Sequence, residues 1–417
     1  MNFRLSVICL SAASVGLSIV IVSLSKLLLV LTGLVVVLRS ITKPDPRPTT
    51  KVQRIPLSIM AVLIALLVMS LSLIWTTAPS IDALGSIAKY GKLLVIPVFF
   101  VLVQTSREAF IALAAFFISQ TFLLLSSWML FARLPVPWAT SNMAITEFAV
   151  FSSYLDQGLM AALFAALCWH LRSFAPGKHG RTVVTVVAVI ALGNVFFVLN
   201  GRSGHVVAIA LVSVAIMWEL PRRYRFSAVL TPIFLVLALI STPSKLRERM
   251  ALAGHELQSY EQGDQRQTST GIRLGLWLNS IKIIQISPVL GTGVGSWSTE
   301  YNRLQLQANP KHQNVIGNWN PHQEYLLWGV QLGAVGIVML VSLLAAVAAD
   351  ARSMRRAEAR ALTSAVLALA VASLFNSSLY DAFIGDFFCV VIGLLLALGK
   401  SYNIDTQRPE SSGAVVK

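Results

Sequence analysis

Residues 320–349 read NPHQEYLLWGVQLGAVGIVMLVSLLAAVAA, and this stretch decides the fold. From Tyr325 to Ala349 it is almost wholly apolar, with Gln331 and small residues, Gly333 and Gly336 among them, inside it. About 20 such residues are enough to carry a helix across a hydrocarbon layer roughly 30 Å thick. Just before the run stands His322, at the border between a long polar segment and the apolar helix. An imidazole there is held by rigid structure yet reaches water and headgroups. With an ordinary pKa of roughly 6.5 it can take a proton from a hydroxyl near neutral pH. The competing reading is a histidine at a helix start that merely hydrogen-bonds backbone.

Similar apolar runs recur along all 417 residues, of which 56% are hydrophobic and 12% charged. Soluble proteins carry about 25% charged residues. The mean hydropathy is +0.72. These values define an all-α polytopic membrane protein. The net charge of +15 does not point to nucleic acid, because the cations sit in short clusters between apolar runs,. Cys9, Cys168 and Cys389 fall inside apolar runs and read as packing residues, with no disulfide framework or CxxC metal site,. Met1–Ser25 has the outline of a signal peptide, but the next apolar stretch follows at once, so it reads as an uncleaved first span,.

About twelve transmembrane helices are expected, near 4–18, 20–38, 55–76, 88–105, 109–131, 156–171, 182–199, 204–219, 226–241, 324–349, 361–377 and 382–399. With that count four basic loops share one side. One carries Arg39, Lys43, Arg47, Lys51 and Arg54, and another Arg172, Lys178 and Arg181. The third has Arg222, Arg223 and Arg225, and the fourth Arg352, Arg355, Arg356 and Arg360. By the positive-inside rule that side is cytoplasmic, with both termini. The chain then divides into spans 1–9 over 1–241, a long periplasmic loop at 242–321, spans 10–12 within 322–400, and a polar tail at 401–417 expected to be disordered,. Within the loop, Leu274, Trp277, Leu278 and Ile281 share one helical face, which suggests a helix lying in the membrane interface,. Pro288, Gly291, Gly293 and Gly295 then make a turn; no strand precedes them, so they are a poor nucleotide signal,.

Arg202 lies between Gly201 and Ser203-Gly204, between two apolar runs on the cation-poor side. A cation so placed is a functional candidate, and the neighbouring glycines would let backbone and ligand approach. A side chain snorkelling to headgroups is the equal alternative. Arg273 opens the loop helix, with Arg266 upstream. Guanidiniums hold phosphate through paired N–H donors, so these arginines suggest a lipid-linked phosphate or diphosphate, although Arg266 alone reads better as a solvated charge. Asp156, Glu300, Glu324 and Asp381 are scattered and read as structural partners; His255 and His312 read as solvated. No cluster has metal-ligand spacing, so no metal is expected.

Two segments together resemble the O-antigen ligase/polymerase superfamily of membrane glycosyltransferases. One is His322-Gln323, nine residues, then Gly333-Ala334-Val335-Gly336; the other is Arg273 to Trp277 running into Pro288-Val289-Leu290-Gly291-Thr292-Gly293-Val294-Gly295. The Gly201–Gly204 turn is similar to a third family feature, an arginine at the mouth of a span pair. The resemblance implies an O-antigen ligase of the bacterial inner membrane, working at the periplasmic face in lipopolysaccharide biosynthesis. It would transfer a glycan from undecaprenyl diphosphate to a sugar hydroxyl of lipid A–core, with no metal, nucleotide or other cofactor. His322 would activate the hydroxyl, and Arg202 and Arg273, with help from Arg266, would hold the diphosphate. A polymerase or a protein O-oligosaccharyltransferase of the same superfamily is the near alternative. A transporter or flippase of a lipid-linked or anionic solute is the alternative of another class, and it should show discontinuous helices.

Overall fold

The fold is that of a computed structural model, which describes residues 2–42, 55–226, 230–241, 247, 269–308 and 320–405. All regular structure among the described residues is helical. In chain order the helices are α1 (Phe3–Ser14), α2 (Ile19–Thr42), α3 (Leu57–Leu71), α4 (Ser80–Tyr90), α5 (Val95–Leu102), α6 (Ser106–Phe131), α7 (Ala144–Glu147) and α8 (Tyr154–Leu171). There follow α9 (Gly177–Gly193), α10 (Arg202–Glu219), α11 (Thr231–Ile240), α12 (Ser269–Ile286), α13 (Trp297–Ala308), α14 (Glu324–Ala351), α15 (Arg356–Ala372) and α16 (Ala382–Asp405).

Among the described residues eight helical stretches are long and apolar enough to cross a membrane, against about twelve expected. Helices occur at the other four expected positions. Of these, α1 and α11 are short, with 12 and 10 residues, which at 1.5 Å per residue is about 18 Å or less, too short for the hydrocarbon layer,. Large apolar residues such as Leu24, Leu27, Leu31, Leu63 and Leu67 stand exposed on α2 and α3, a surface that suits lipid and not water,. The fourth span begins at Ser80 instead of 88, because α4, a 3-10 turn at Gly91–Leu94 and α5 join end to end. Asp82, Gly85 and Lys89 dilute its hydrophobic signal in the sequence. At the C-terminus α16 runs to Asp405, so the first five residues of the expected disordered tail are helical.

The basic loops gather at one end. Arg360 bonds Glu219 at 2.9 Å and Arg172 lies 3.8 Å from the same carboxylate, which joins the end of α8, the end of α10 and the start of α15. The backbone N–H groups of Leu57 and Ser58 donate to Asp350 at 3.0 and 2.8 Å, so α3 starts where α14 finishes. Lys43, Arg47, Lys51 and Arg54 lie outside the described residues.

In the loop helix the face expected to be apolar has Leu274 and Trp277 half-buried and Leu278 and Ile281 exposed, while α12 buries Leu276, Ser280 and Ile283 on its other side. It runs beside the first part of α14. The Trp277 indole N–H donates to the Pro321 carbonyl at 3.1 Å, Ile284 packs on Gly329, and Val289 reaches Gly333. Then α13 turns back, with the Trp297 indole N–H donating to the Ser280 hydroxyl at 2.8 Å.

The glycine turn between α12 and α13 fills a break in α14. Gly333, nine residues along, has φ 62° and ψ −148°, a conformation almost confined to glycine,. The break frees backbone groups, and the turn satisfies them: Thr292 N–H donates to Val330 O at 2.9 Å and Gly293 N–H to Gln331 O at 2.8 Å. In return Ala334 N–H donates to Pro288 O at 2.8 Å. The turn also clasps the end of α3, through Val294 N–H to the Ser72 hydroxyl at 3.1 Å and the Thr76 hydroxyl to Val294 O at 2.7 Å. A Cβ on Gly291 or Gly333 would lie 2.5 Å or less from backbone atoms that cannot yield.

Gly333→Ala or Gly291→Ala is therefore expected to destabilise the detergent-solubilised protein by at least about 2 kcal/mol in thermal unfolding. Gly275→Ala and Gly85→Ala, which meet nothing within 4 Å, are expected to be neutral or slightly stabilising,.

Candidate functional site

His322 is fixed by what flanks it. Asn320 is buried, and its Oδ1 accepts the His322 backbone N–H at 2.8 Å and the Ser377 hydroxyl at 3.0 Å. Its Nδ2 donates to Asp381 Oδ1 at 3.1 Å. Closing this short turn leaves His322 with φ 53°, an uncommon conformation for a non-glycine residue and one that tends to mark functional sites,. On the other side the Gln323 side chain accepts the Leu326 N–H at 2.5 Å, so Gln323 is the N-cap of α14,. That gives the second position of the His-Gln pair a physical reason.

Glu324 is the anchor beneath. It is fully buried, and its carboxylate accepts from the Trp328 indole at 2.7 Å, from Leu379 N–H at 2.9 Å, from Tyr380 N–H at 3.3 Å and from the Tyr90 hydroxyl at 3.4 Å. Its own N–H donates to Ser373 O at 2.9 Å. The segment joining α15 to α16 is thereby bound to the start of α14, and it delivers Asn376 to the imidazole, which hydrogen-bonds it.

The arginines approach from two other elements. Arg202 is the first residue of α10 and Arg273 lies in the first turns of α12; both are half-buried, as is His322. Burial holds His322 below its ordinary pKa, and the Arg273 charge lowers it further, against the Asn376 hydrogen bond. Arg273 in turn is within electrostatic reach of Tyr154 and Arg202. So the structure brings His322, Arg273 and Arg202 to one neighbourhood, at the end of the bundle away from the cation-rich loops. The N-termini of α8, α10, α14 and α16 open at this end too, and each adds partial positive charge,. Arg266 lies outside the described residues, as do His255 and His312.

The glycines beside Arg202 serve packing more directly than a ligand. A Cβ on Gly201 would meet the Tyr154 carbonyl at 3.2 Å and one on Gly204 the Gly158 backbone at 3.0 Å, so α10 lies glycine-to-glycine on α8,. Sequence reasoning passed over Tyr154, Asn320 and Asn376. The signal available was a set of polar residues crowded at span ends, Asn376-Ser377-Ser378 above all. Asp381, expected as a structural partner, accepts from Asn320, and burial, with the Asp156 and Glu324 carboxylates adding, pushes its pKa up to about 7.

What these features define is a multi-pass helical membrane protein with a half-exposed imidazole and two guanidiniums at one mouth of the bundle. Residues 187–341, from α9 through the break in α14 and with all three of those side chains inside, match the Wzy_C family, O-Antigen ligase, and the match supports membership of the O-antigen ligase superfamily. In general terms that family implies membrane glycosyltransferase-type activity. The chain is also 24% identical over 176 residues to an uncharacterised protein of Haemophilus influenzae, which covers 41% of this chain and 44% of that relative, so the chain spans under half the relative's length.

A base held below its ordinary pKa stays neutral and usable until the pH falls through that lowered value. If His322 serves as the base of a glycosyl transfer, the acid limb of kcat/KM is expected to lie below pH 6.5,. Arg273→Gln removes the depressing charge, so the limb should move to higher pH. The Asp381 carboxyl is pushed up by burial and by the Asp156 and Glu324 carboxylates, with Arg273 not among the charges acting on it, so that movement points to His322. An unmoved limb would separate the two residues.

Proposed function

We propose that the protein is an O-antigen ligase of the bacterial inner membrane. Its substrates would be an undecaprenyl-diphosphate-linked glycan and lipid A–core, both reaching the site sideways from the outer leaflet. The observation carrying this reading is the electrostatic linkage of His322, Arg273 and Arg202 at the end opposite the basic loops. With those basic loops cytoplasmic, the site faces the periplasm.

The chemistry follows from the residues. His322 takes the proton of the acceptor sugar hydroxyl as its oxygen attacks the anomeric carbon of the donor. The bond from that carbon to the diphosphate breaks, and undecaprenyl diphosphate leaves with the electron pair. Arg202 and Arg273 stabilise the charge that grows on the diphosphate, aided by the helix N-termini. Arg266 is proposed as an auxiliary contact. This division of labour asks for no metal and no nucleotide.

A polymerase would share the donor half of this scheme and differ in its acceptor. A transporter is favoured by one feature, the broken helix at Gly333,. There, however, the Pro288–Gly295 turn occupies the break and satisfies its backbone groups, which leaves those groups unavailable to a passing solute.

His322→Ala is expected to lower transfer onto lipid A–core by about 10²–10⁴-fold while expression and membrane insertion persist. Arg202→Ala and Arg273→Ala are expected to cost about 10²–10³-fold, and the Lys variants less, since Lys keeps the charge and loses the paired donors. The measurement is transfer in reconstituted vesicles offering lipid A–core and a second donor molecule as competing acceptors. Full activity of His322→Ala would remove that residue from the reaction. Consumption of the second donor alone would make the protein a polymerase.

A further inference from the structure

At the opposite end, the cationic residues that orient the chain also build a cavity. It has a volume of about 660 Å³ and lies between the end of α8, the start of α9, the end of α10 and the start of α15. Arg172, Arg181, Arg356 and Arg360 line it, against the single carboxylate of Glu219. Arg172 and Arg360 are half-buried and share Glu219, at 3.8 and 2.9 Å. Arg181 and Arg356 stand exposed, with no ion pair among the described residues. A topology signal requires only that cations lie on one side; it does not require four of them around one cavity.

The second observation is His170. It lines the same cavity, is 5% exposed, and among the described residues neither ring nitrogen has a hydrogen-bond partner. Its ring is edge-on to Trp218, with centroids 5.2 Å apart. A buried imidazole with both nitrogens unmet is costly unless something else meets them. A phosphate oxygen would fit, since the neighbouring guanidiniums hold such an anion through paired donors. The cavity also runs out onto lipid-facing surface. Val186 lines it and is exposed, and Val183 and Val189, three residues to either side on α9, are exposed as well. A headgroup bound there would have its acyl chains laid along an apolar stripe.

We propose that this cavity binds the phosphodiester headgroup of an anionic phospholipid from the leaflet at the cation-rich end. Arg181 and Arg356 close over the phosphate at the mouth, and His170 meets one of its oxygens within. Soluble phosphate shares the chemistry but not the stripe.

The test is native mass spectrometry of the full chain taken from vesicles of equal phosphatidylglycerol and phosphatidylethanolamine. Wild type is expected to carry phosphatidylglycerol in about tenfold excess, and Arg181→Ala/Arg356→Ala to lose that preference. Arg222→Ala/Arg223→Ala, on the same side but off the cavity, should keep it. Arg181→Lys/Arg356→Lys should keep part of it, which decides the matter if the alanine variant does not fold. Equal retention of the two lipids by wild type, or unchanged preference in the cavity variants, would overturn the proposal. So would loss of preference in the off-cavity control, since diffuse charge would then suffice. Displacement of the lipid by millimolar inorganic phosphate would assign the site to a free anion instead.

Discussion

The structure turns on an exchange of backbone hydrogen bonds between two distant pieces of chain. A helix broken in an apolar setting exposes N–H and C=O groups that nothing nearby can satisfy, at a cost of several kcal/mol per group. Here the Pro288–Gly295 turn satisfies them at Gly333, and the same turn grips the end of α3. Because Arg273 rides on the helix that leads into this turn, and His322 precedes the helix that is broken, the exchange fixes one relative to the other. Glycine is required on both sides because the backbones meet closer than a side chain allows.

The second constraint is the buried carboxylate of Glu324. Unsatisfied, it would be intolerable; with four donors it becomes a clamp that sets the Ser373–Tyr380 segment under the imidazole,. Similar economy appears deeper in the bundle, where Lys26 and Asp386 pair at 2.7 Å between α2 and α16,. Lys26, Asp386 and Glu324 thus hold the framework, paired within it, while Arg202, Arg273 and His322 stand half-exposed at one end.

Much of this was legible in the sequence for clear reasons. Hydropathy and cation clusters are local signals, so the helices and the shared end of the basic loops could be read directly. The candidate side chains His322, Arg273 and Arg202 stood out because polar groups at span borders are rare. The break at Gly333 was not legible, since an apolar run reads alike whether its helix is continuous or not. Nor was the real purpose of Gly291 and Gly293, whose partners lie about 40 residues further along or, for Thr76, far upstream. The packed side of α12 was not legible, because Leu276, Ser280 and Ile283 meet protein on one face while Leu278 and Ile281, on the face the sequence marks as apolar, stay exposed. The arginine cavity around His170 joins four segments, and only their packing reveals it.

The central claim is that one mouth of the bundle holds a lipid diphosphate between two arginines beside an imidazole. The most direct measurement is a cryo-electron microscopy structure of the protein in a lipid nanodisc with undecaprenyl diphosphate. The account predicts density for the diphosphate bridging Arg202 and Arg273, with the His322 ring alongside the terminal phosphate that carries the glycan in the donor. Diphosphate density at any other place, with those three side chains left in solvent, would contradict it.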